Sequence, residues 1–264
     1  MNTQKIALVT GGSRGLGRDM ALKLVDKGIR VVFTYNSNKQ AADSTLKDLS
    51  AKGGKAVALS LDVRDVKSFE AFKTELKEEL EMHWNTSNFD YLVNNAGFGH
   101  NGMVTDTSEE AFDDLMNVHF KGVYFLTQTL LPMMNDEGGI INLSSGLARF
   151  SLPGYSAYAA MKGAIEVYTR YLAKELGGRK IKANTVAPGA INTDFNKERF
   201  ESAPQIVEAI ASQTAWVALE KVKTLAVSLP FYVHKMRLGS TDSAWKPPVE
   251  CSFSVPKMTG SSDK

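Results

Sequence analysis

The sequence is poor in the residues that build disulfide and metal sites. It contains one cysteine, Cys251, and four histidines in 264 residues. A single cysteine cannot form a disulfide framework or a cysteine metal site within one chain. The histidines show no metal-ligand spacing, so we interpret them as ordinary core or surface residues. We therefore expect no metal site and a reducing compartment.

Long hydrophobic runs are also missing. No stretch approaches the roughly 18 apolar residues that indicate a membrane-spanning helix. The first ten residues, MNTQKIALVT, have no basic region before an apolar run and do not resemble a secretory signal. We expect a soluble cytoplasmic protein with no membrane partner.

A strong excess of one charge is absent as well. The net charge is +2, but residues 216–264 hold seven Lys and Arg against four Asp and Glu, which leaves 24 against 25 in residues 1–215. No basic stripe with interleaved aromatic residues occurs, which argues against a nucleic-acid partner. A composition of 43% hydrophobic and 23% charged residues suits one large domain with a substantial core.

Strand and helix patterns alternate along most of the chain. We predict strands at 5–10, 30–35, 56–61, 89–93, 140–143 and 181–186, and helices at 18–27, 39–52, 66–83 and 109–131. A further helix is predicted after Ser145. Alternation at this spacing favours the α/β class, with a single doubly wound parallel sheet flanked by helices.

The first predicted strand ends in a glycine-rich loop, GGSRGLG, at residues 11–17. A strand, a glycine turn and a helix in succession are typical of a dinucleotide site. Gly11 would permit the tight turn, Gly15 would let the backbone approach a pyrophosphate, and Gly17 would allow close helix packing. A plain turn would not need three glycines, each of which costs backbone entropy on folding.

The end of the second strand bears on cofactor choice. It lacks the acidic residue that would bind the ribose 2′-hydroxyl of NAD. Asn36 and Ser37 stand there instead, and Arg14 can bring a guanidinium suited to a phosphate. The sequence therefore favours NADP(H), with NAD(H) as the alternative.

Candidate reactive side chains follow the fifth predicted strand. Ser145 comes directly after it, and Tyr158 and Lys162 lie four residues apart on one face of the next helix. A nearby ammonium lowers the pKa of a phenol, which is about 10 in isolation. We therefore expect Tyr158 to transfer protons near neutral pH. A second pair, Tyr35 and Lys39, follows a strand in a polar segment, and we interpret it as loop.

Together these motifs resemble the short-chain dehydrogenase/reductase family, including its 3-oxoacyl-carrier-protein reductases and glucose dehydrogenases, over residues 4–215. The resemblance implies a Rossmann fold with Tyr158 as general acid/base, Ser145 holding the substrate oxygen, and Lys162 binding the nicotinamide ribose. It also implies that Asn117 supports a proton-relay water. The expected cofactor contacts are Gly11, Ser13, Arg14, Gly15, Leu16, Gly17, Asn36, Ser37, Asp62, Val63, Asn95, Ala96, Gly97, Tyr158, Lys162, Pro188, Gly189, Ile191 and Thr193.

The chemistry of these residues agrees with a nicotinamide-dependent oxidoreductase acting on a carbonyl or secondary alcohol. A carbonyl oxygen that gains negative charge would be stabilised by donors on Ser145 and Tyr158. Residues 98–104 and 190–212 are expected to line an apolar substrate site, which leaves a 3-oxoacyl thioester, a steroid-like ketone and a small polyol open. A catalytically impaired or non-catalytic dinucleotide-binding protein is the alternative.

The chain departs from the family after Ala215. Half of its eight prolines fall in residues 216–264, and the family's final strand is not recognisable there. When residues 216–264 are back-translated and read in a shifted frame, the codons can encode sequences typical of the family, such as WVNGQ. We therefore predict that this tail is translated out of frame and is poorly structured. A natural, divergent C-terminus is the alternative. An in-frame end would imply a homodimer or homotetramer. Resequencing the codons for Thr214 to Trp216 tests this.

Overall fold

The computed structural model describes residues 4–189 of the chain. The elements follow one another as strand and helix, as predicted from the hydrophobic pattern. Their bounds are β1 Ile6–Val9, α1 Gly15–Asp26, β2 Arg30–Tyr35, α2 Lys39–Ala51, β3 Ala56–Ser60, α3 Phe69–Trp84, β4 Phe89–Asn94, α4 Glu109–Met116, α5 Gly122–Leu130, β5 Met134–Leu143, α6 Ser156–Glu175 and β6 Lys182–Val186.

The six strands form one parallel sheet in the order β3-β2-β1-β4-β5-β6. The chain builds outward from β1 to β3, then crosses back to place β4 on the other side of β1. Ligands of such sheets bind beyond the carboxyl ends of the strands where the order reverses. The doubly wound α/β fold is therefore confirmed, and its crevice lies beyond β1 and β4.

Side chains alternate between the two faces of the sheet because successive residues of a strand point to opposite sides. In β1, Ile6 and Leu8 pack in a core cluster with residues of α3, α5 and α6. Ala7 and Val9 pack in a second cluster with residues of α1 and α2. Both faces are apolar, as a parallel sheet covered by helices on both sides requires.

The long helix predicted at 109–131 is interrupted. A single π-helical turn, Asn117–Lys121, separates α4 from α5, and the Gly122 N–H bonds the Asn117 carbonyl. A Cβ at Gly122 would lie 2.2 Å from the Val63 carbonyl oxygen, so the helix approaches the β3 loop very closely there. The apolar pattern continues through the turn, which is why the sequence did not reveal it.

Strand β5 begins six residues earlier than predicted. Its first part is polar and exposed, and two ion pairs tie it to the chain before β6: Arg179 bonds Asp136 at 2.8 Å, and Lys180 bonds Glu137 at 3.0 Å. A polar segment of this kind lacks the apolar run on which the strand prediction depended.

Several predictions fall outside the described residues. These concern Ile191, Thr193, the substrate loop at 190–212 and the tail at 216–264, and they remain predictions. Within residues 4–189, none of the helices combines the length and the apolar character needed to cross a membrane.

Candidate active site

The glycine loop joins β1 to α1 in a conformation that requires glycine. Gly11 has a φ of +65°, in the left-handed region, and the Gly12 N–H donates to the Thr34 carbonyl at 2.8 Å. A Cβ on Gly17 would lie only 2.2 Å from the Gly11 carbonyl oxygen. Helix α1 therefore packs directly on the loop, as the sequence predicted for a phosphate-binding turn.

The NNAG segment, residues 94–97 at the end of β4, is hydrogen-bonded to the glycine loop. The Asn95 side-chain amide donates to the carbonyls of Thr10, at 2.9 Å, and Gly11, at 3.2 Å. The Thr10 hydroxyl accepts from the backbone N–H groups of Asn95 and Ala96 at 2.9 and 3.0 Å. These four bonds make the two loops one unit across the point where the strand order reverses.

The start of α1 fits the diphosphate of a dinucleotide. Its N-cap, Arg14, is extended and exposed, and no side chain caps the helix. The first N–H groups of a helix have no partner within the helix, and together with the helix dipole they form an anion site. Asn36 and Ser37 are exposed beyond the adjacent β2. The residues present therefore fit a nicotinamide dinucleotide.

Arg64 is a residue of this region that the sequence analysis missed. Its guanidinium bonds both carboxylate oxygens of Asp62, at 2.8 to 3.1 Å, and this ion pair lowers the pKa of Asp62. It also approaches Asp114 at 3.9 Å. The Asp-x-Arg spacing after β3 could have predicted this ion pair, because a cation two residues from a carboxylate in a turn can reach it.

Three predicted reactive residues come together beyond β5. Ser145 follows the strand, and its hydroxyl oxygen accepts from the Leu147 N–H at 3.2 Å and shares a hydrogen bond with Tyr158. Lys162 lies one turn along α6 from Tyr158, its Nζ 5.6 Å from the phenol ring centre. That Nζ donates to the Leu143 carbonyl at 2.8 Å, which anchors α6 to the end of β5.

Burial controls the protonation of this cluster. Tyr158 is 8% exposed, and burial raises its pKa to about 12, partly offset by the Ser145 hydrogen bond. Lys162 is 5% exposed, and burial lowers its pKa to about 7. The sequence predicted a lowered pKa for Tyr158, and the structure shows the opposite direction because desolvation of the phenolate outweighs any stabilisation by the lysine.

His119 is the second residue that the sequence analysis missed. It lies in the π-helical turn and is 1% exposed, between Phe98 at 5.3 Å and Tyr158 at 5.1 Å, measured between ring centres. Its Nε2 is 2.8 Å from the Phe98 carbonyl oxygen. Asn117 is half-buried two residues earlier. The histidine was assigned to the ordinary core because no spacing pattern distinguishes it.

A buried polar network holds the strand ends beneath the cluster. The Asn94 amide donates to Asn142 at 2.8 Å and to Thr127 at 3.1 Å, and Asn142 donates to Thr169 of α6 at 2.9 Å. Such buried networks fix the relative positions of the elements that they join. The network therefore positions β4, β5, α5 and α6 against one another.

Pro188 closes the far side of the site within the described residues. Its carbonyl accepts from the Gly146 N–H at 3.1 Å, and the Ser144 N–H bonds the Val186 carbonyl at 2.8 Å. The chain leaving β6 is thus held against the Ser145 turn. Gly189 follows Pro188 at the limit of the described residues.

Comparisons with known proteins agree with this geometry. The family model of short chain dehydrogenases matches residues 5–204. The 3-oxoacyl-(acyl-carrier-protein) reductase FabG of Staphylococcus aureus is 35% identical over 197 residues, which are 74% of this chain and 78% of the relative. A short-chain type dehydrogenase/reductase of Picea abies is 34% identical over 253 residues, covering 91% of this chain and 88% of the relative.

Solved structures are similar over most of the chain. The promiscuous reductase LugOII, which catalyses keto-reduction at C1 during lugdunomycin biosynthesis, has a TM-score of 0.83 at 32% identity, covering 90% of this chain and 94% of that one. The angucycline C-6 ketoreductase LanV with bound NADP has a TM-score of 0.82 at 32% identity, covering 88% and 90%.

Proposed function

The chain belongs to the short-chain dehydrogenase family, and from this premise we propose that it is an NADP(H)-preferring reductase of a carbonyl substrate with Tyr158 as its general acid. Membership of the family, together with an NADP-bound ketoreductase among the similar structures, supports a dinucleotide-dependent oxidoreductase. The observation that carries the finer proposal is the cluster of half-buried Ser145 with buried Tyr158 and Lys162, which lies beyond the carboxyl end of β5.

Ser145 and Tyr158 would act on the substrate oxygen. A bound nicotinamide cofactor would supply the hydride, and negative charge would develop on the carbonyl oxygen. The hydroxyls of Ser145 and Tyr158 would donate hydrogen bonds to that oxygen and stabilise it. Tyr158 would then transfer its proton to the oxygen, which completes the alcohol.

The raised pKa of Tyr158 favours the protonated phenol, which is the form that the reduction step uses. With a pKa of about 12, the phenol keeps its proton at neutral pH and is ready to act as an acid. Alcohol oxidation requires the phenolate, which is scarce under these conditions. Burial lowers the pKa of Lys162 to about 7, and its protonated form would favour the phenolate left after proton transfer.

The cofactor would be held mainly by backbone and exposed polar groups. The N–H groups at the start of α1, from Gly15 to Gly17, would bind the diphosphate. Arg14 would bind the 2′-phosphate of NADP, with Asn36 and Ser37 beside it. The absence of a carboxylate after β2 removes the repulsion that an acidic residue would exert on that phosphate.

Steady-state NADPH oxidation with a panel of diketones tests the proposal directly. We expect wild-type turnover and, in Tyr158→Phe, a loss of kcat of about 10²- to 10⁴-fold with NADPH binding retained. Ser145→Ala should also lower kcat, because it removes a hydrogen-bond donor to the substrate oxygen. Equal turnover by wild type and Tyr158→Phe would reject the assignment of Tyr158.

For a chain whose C-terminus is in frame we also propose a homodimer or homotetramer in the cytoplasm, and an exposed apolar surface on α5 and α6 supports a subunit interface there. The exposed residues are Tyr124, Phe125, Val167 and Tyr171, with relative exposures from 36% to 62%. Tyr124 stacks on Tyr168 at 4.7 Å, which joins the two helices into one patch. Tyr171→Glu should lower the molar mass measured by light scattering, and an unchanged mass would place the interface elsewhere.

A further inference from the structure

One nitrogen beside the phenol of Tyr158 has no partner. The Nε2 of His119 is 2.8 Å from the Phe98 carbonyl oxygen, which can only accept, and 3.4 Å from the Phe98 backbone nitrogen, which can only donate. We assign the hydrogen to Nε2 because the contact with the carbonyl oxygen is the shorter of the two. Nδ1 is therefore a lone-pair acceptor. It is buried and has no hydrogen-bond partner among residues 4–189. A buried acceptor of this kind calls for a donor that is not part of the described chain, such as a water molecule.

The charge state of His119 suits an acceptor. Burial, and then the positive charge of Lys162, lower its pKa to about 3. The imidazole is neutral throughout the physiological range, so Nδ1 stays available for a donor. The influence of Lys162 on this pKa also shows that the two side chains are close enough to interact electrostatically.

The backbone places His119 against the reaction centre. It sits in the middle of the π-helical turn, an uncommon element that occurs frequently at functional sites. Its ring meets the Tyr158 ring nearly at right angles, at an interplanar angle of 83°. A Cβ on Gly97 would lie 2.7 Å from the His119 Cε1, so the NNAG turn leaves space for this ring.

Asn117 is placed differently, although it lies only two residues away. Two helical residues differ in direction by about 200° in an α-helix, and by somewhat less in a π-helix, so the two side chains leave nearly opposite sides. The carbonyl of Asn117 bonds the N–H of Gly122, and Gly122 faces Val63 on the β3 side. The ring contact with Tyr158 is made by His119.

We propose that His119 is a positioning residue of the reaction centre. Its ring orients Tyr158, and its Nδ1 accepts a hydrogen bond from a water molecule that connects the Tyr158 and Lys162 pair with solvent. This inference rests on the proposed function, since it gives His119 the role that the sequence assigned to Asn117. The water would return a proton to the pair after Tyr158 has given its own to the substrate oxygen.

Three variants of the full chain test the proposal, with NADPH and the diketone that wild type turns over best. His119→Phe keeps a ring but lacks the acceptor, His119→Gln keeps an acceptor, and Lys121→Ala, at an exposed position of the same π-helical turn, is the matched control. We expect His119→Phe to lose about 10- to 100-fold in kcat, with an altered solvent deuterium isotope effect and the KM for NADPH unchanged. His119→Gln should recover most of this loss, and Lys121→Ala should stay within about twofold of wild type.

A His119→Phe variant with wild-type kcat and isotope effect would overturn the proposal, as would a Lys121→Ala variant with an equal loss. A second readout does not depend on turnover or on the folding of variants. Nitrogen-15 NMR of the histidine rings in wild type should show His119 with hydrogen on Nε2 and a hydrogen-bonded Nδ1. A free Nδ1 would overturn the inference even if the enzyme is active. If wild type is inactive but Nδ1 of His119 is hydrogen-bonded, the proposed function is rejected, whereas the water site at His119 is retained.

Discussion

The two ends of the crevice differ in the groups that line them. The end at the glycine loop relies on backbone N–H groups, glycines and exposed side chains such as Arg14. The end at α6 relies on buried side chains, with Tyr158, Lys162 and His119 all at most 8% exposed. The first end suits a large ligand held by many contacts, and the second suits proton transfer in a place shielded from water.

This difference separates the expected consequences of mutation. Changes of exposed side chains at the loop end, such as Arg14, should alter the affinity for the cofactor while leaving turnover at saturation and folding stability nearly intact. Changes at the buried end should alter kcat and the pH dependence of stability, because desolvation controls the protonation of its groups.

The largest effect on cofactor affinity is expected from Gly17→Ala. The new Cβ would lie 2.2 Å from the Gly11 carbonyl oxygen, which is backbone and cannot move without displacing the loop. The Kd for NADPH, measured by fluorescence titration, should rise more than about 100-fold, beyond the loss of one charge-assisted bond. Gly177→Ala is the control, since a Cβ there meets nothing within 4 Å. Tight NADPH binding by Gly17→Ala would show that the loop does not hold the cofactor.

Arg14→Ala should have a smaller and more selective effect. A charge-assisted bond to a phosphate contributes about 1.5–3 kcal/mol, so the Kd for NADPH should rise about 10- to 100-fold while that for NADH changes little. Arg18→Ala, which removes the ion pair of the same helix with Asp48, is the matched control. Equal losses for both cofactors would place the phosphate contact elsewhere.

The smallest effect concerns stability, and it belongs to the buried end. His119 has a folded pKa of about 3 and an ordinary value of 6.5, so the unfolded chain binds more protons between these values and stability falls as pH decreases through this window. Between pH 7 and pH 5 this group should cost about 2 kcal/mol. Urea unfolding of wild type and His119→Phe at both pH values measures the difference, with exposed His83→Gln as control. Parallel pH dependences for wild type and His119→Phe would contradict the burial argument.

The sequence was informative where the structure depends on backbone conformation. Gly11 and Gly17 occupy positions that no other residue can fill without strain or collision, so the pattern itself carries the geometry. Strands β1 and β4 were equally predictable, because both are buried on both faces and are mainly apolar.

The sequence was less informative where geometry depends on long-range packing. The π-helical turn shifts the helix phase by one residue, and apolar periodicity does not report such a shift, so His119 could not be distinguished from a core residue. The direction of the Tyr158 pKa shift also depends on burial by α4 and the Phe98 loop, which are distant in sequence. The spacing within α6 shows only that Lys162 lies near Tyr158.

The central claim is that cofactor binding and proton transfer are separate tasks of the two ends. The most direct test measures the Kd for NADPH and kcat at saturating NADPH for Arg14→Ala and Tyr158→Phe side by side. We predict that Arg14→Ala changes the Kd and keeps kcat, whereas Tyr158→Phe keeps the Kd and loses kcat. A loss of saturated kcat in Arg14→Ala comparable to that in Tyr158→Phe, or wild-type kcat in Tyr158→Phe, would contradict the account.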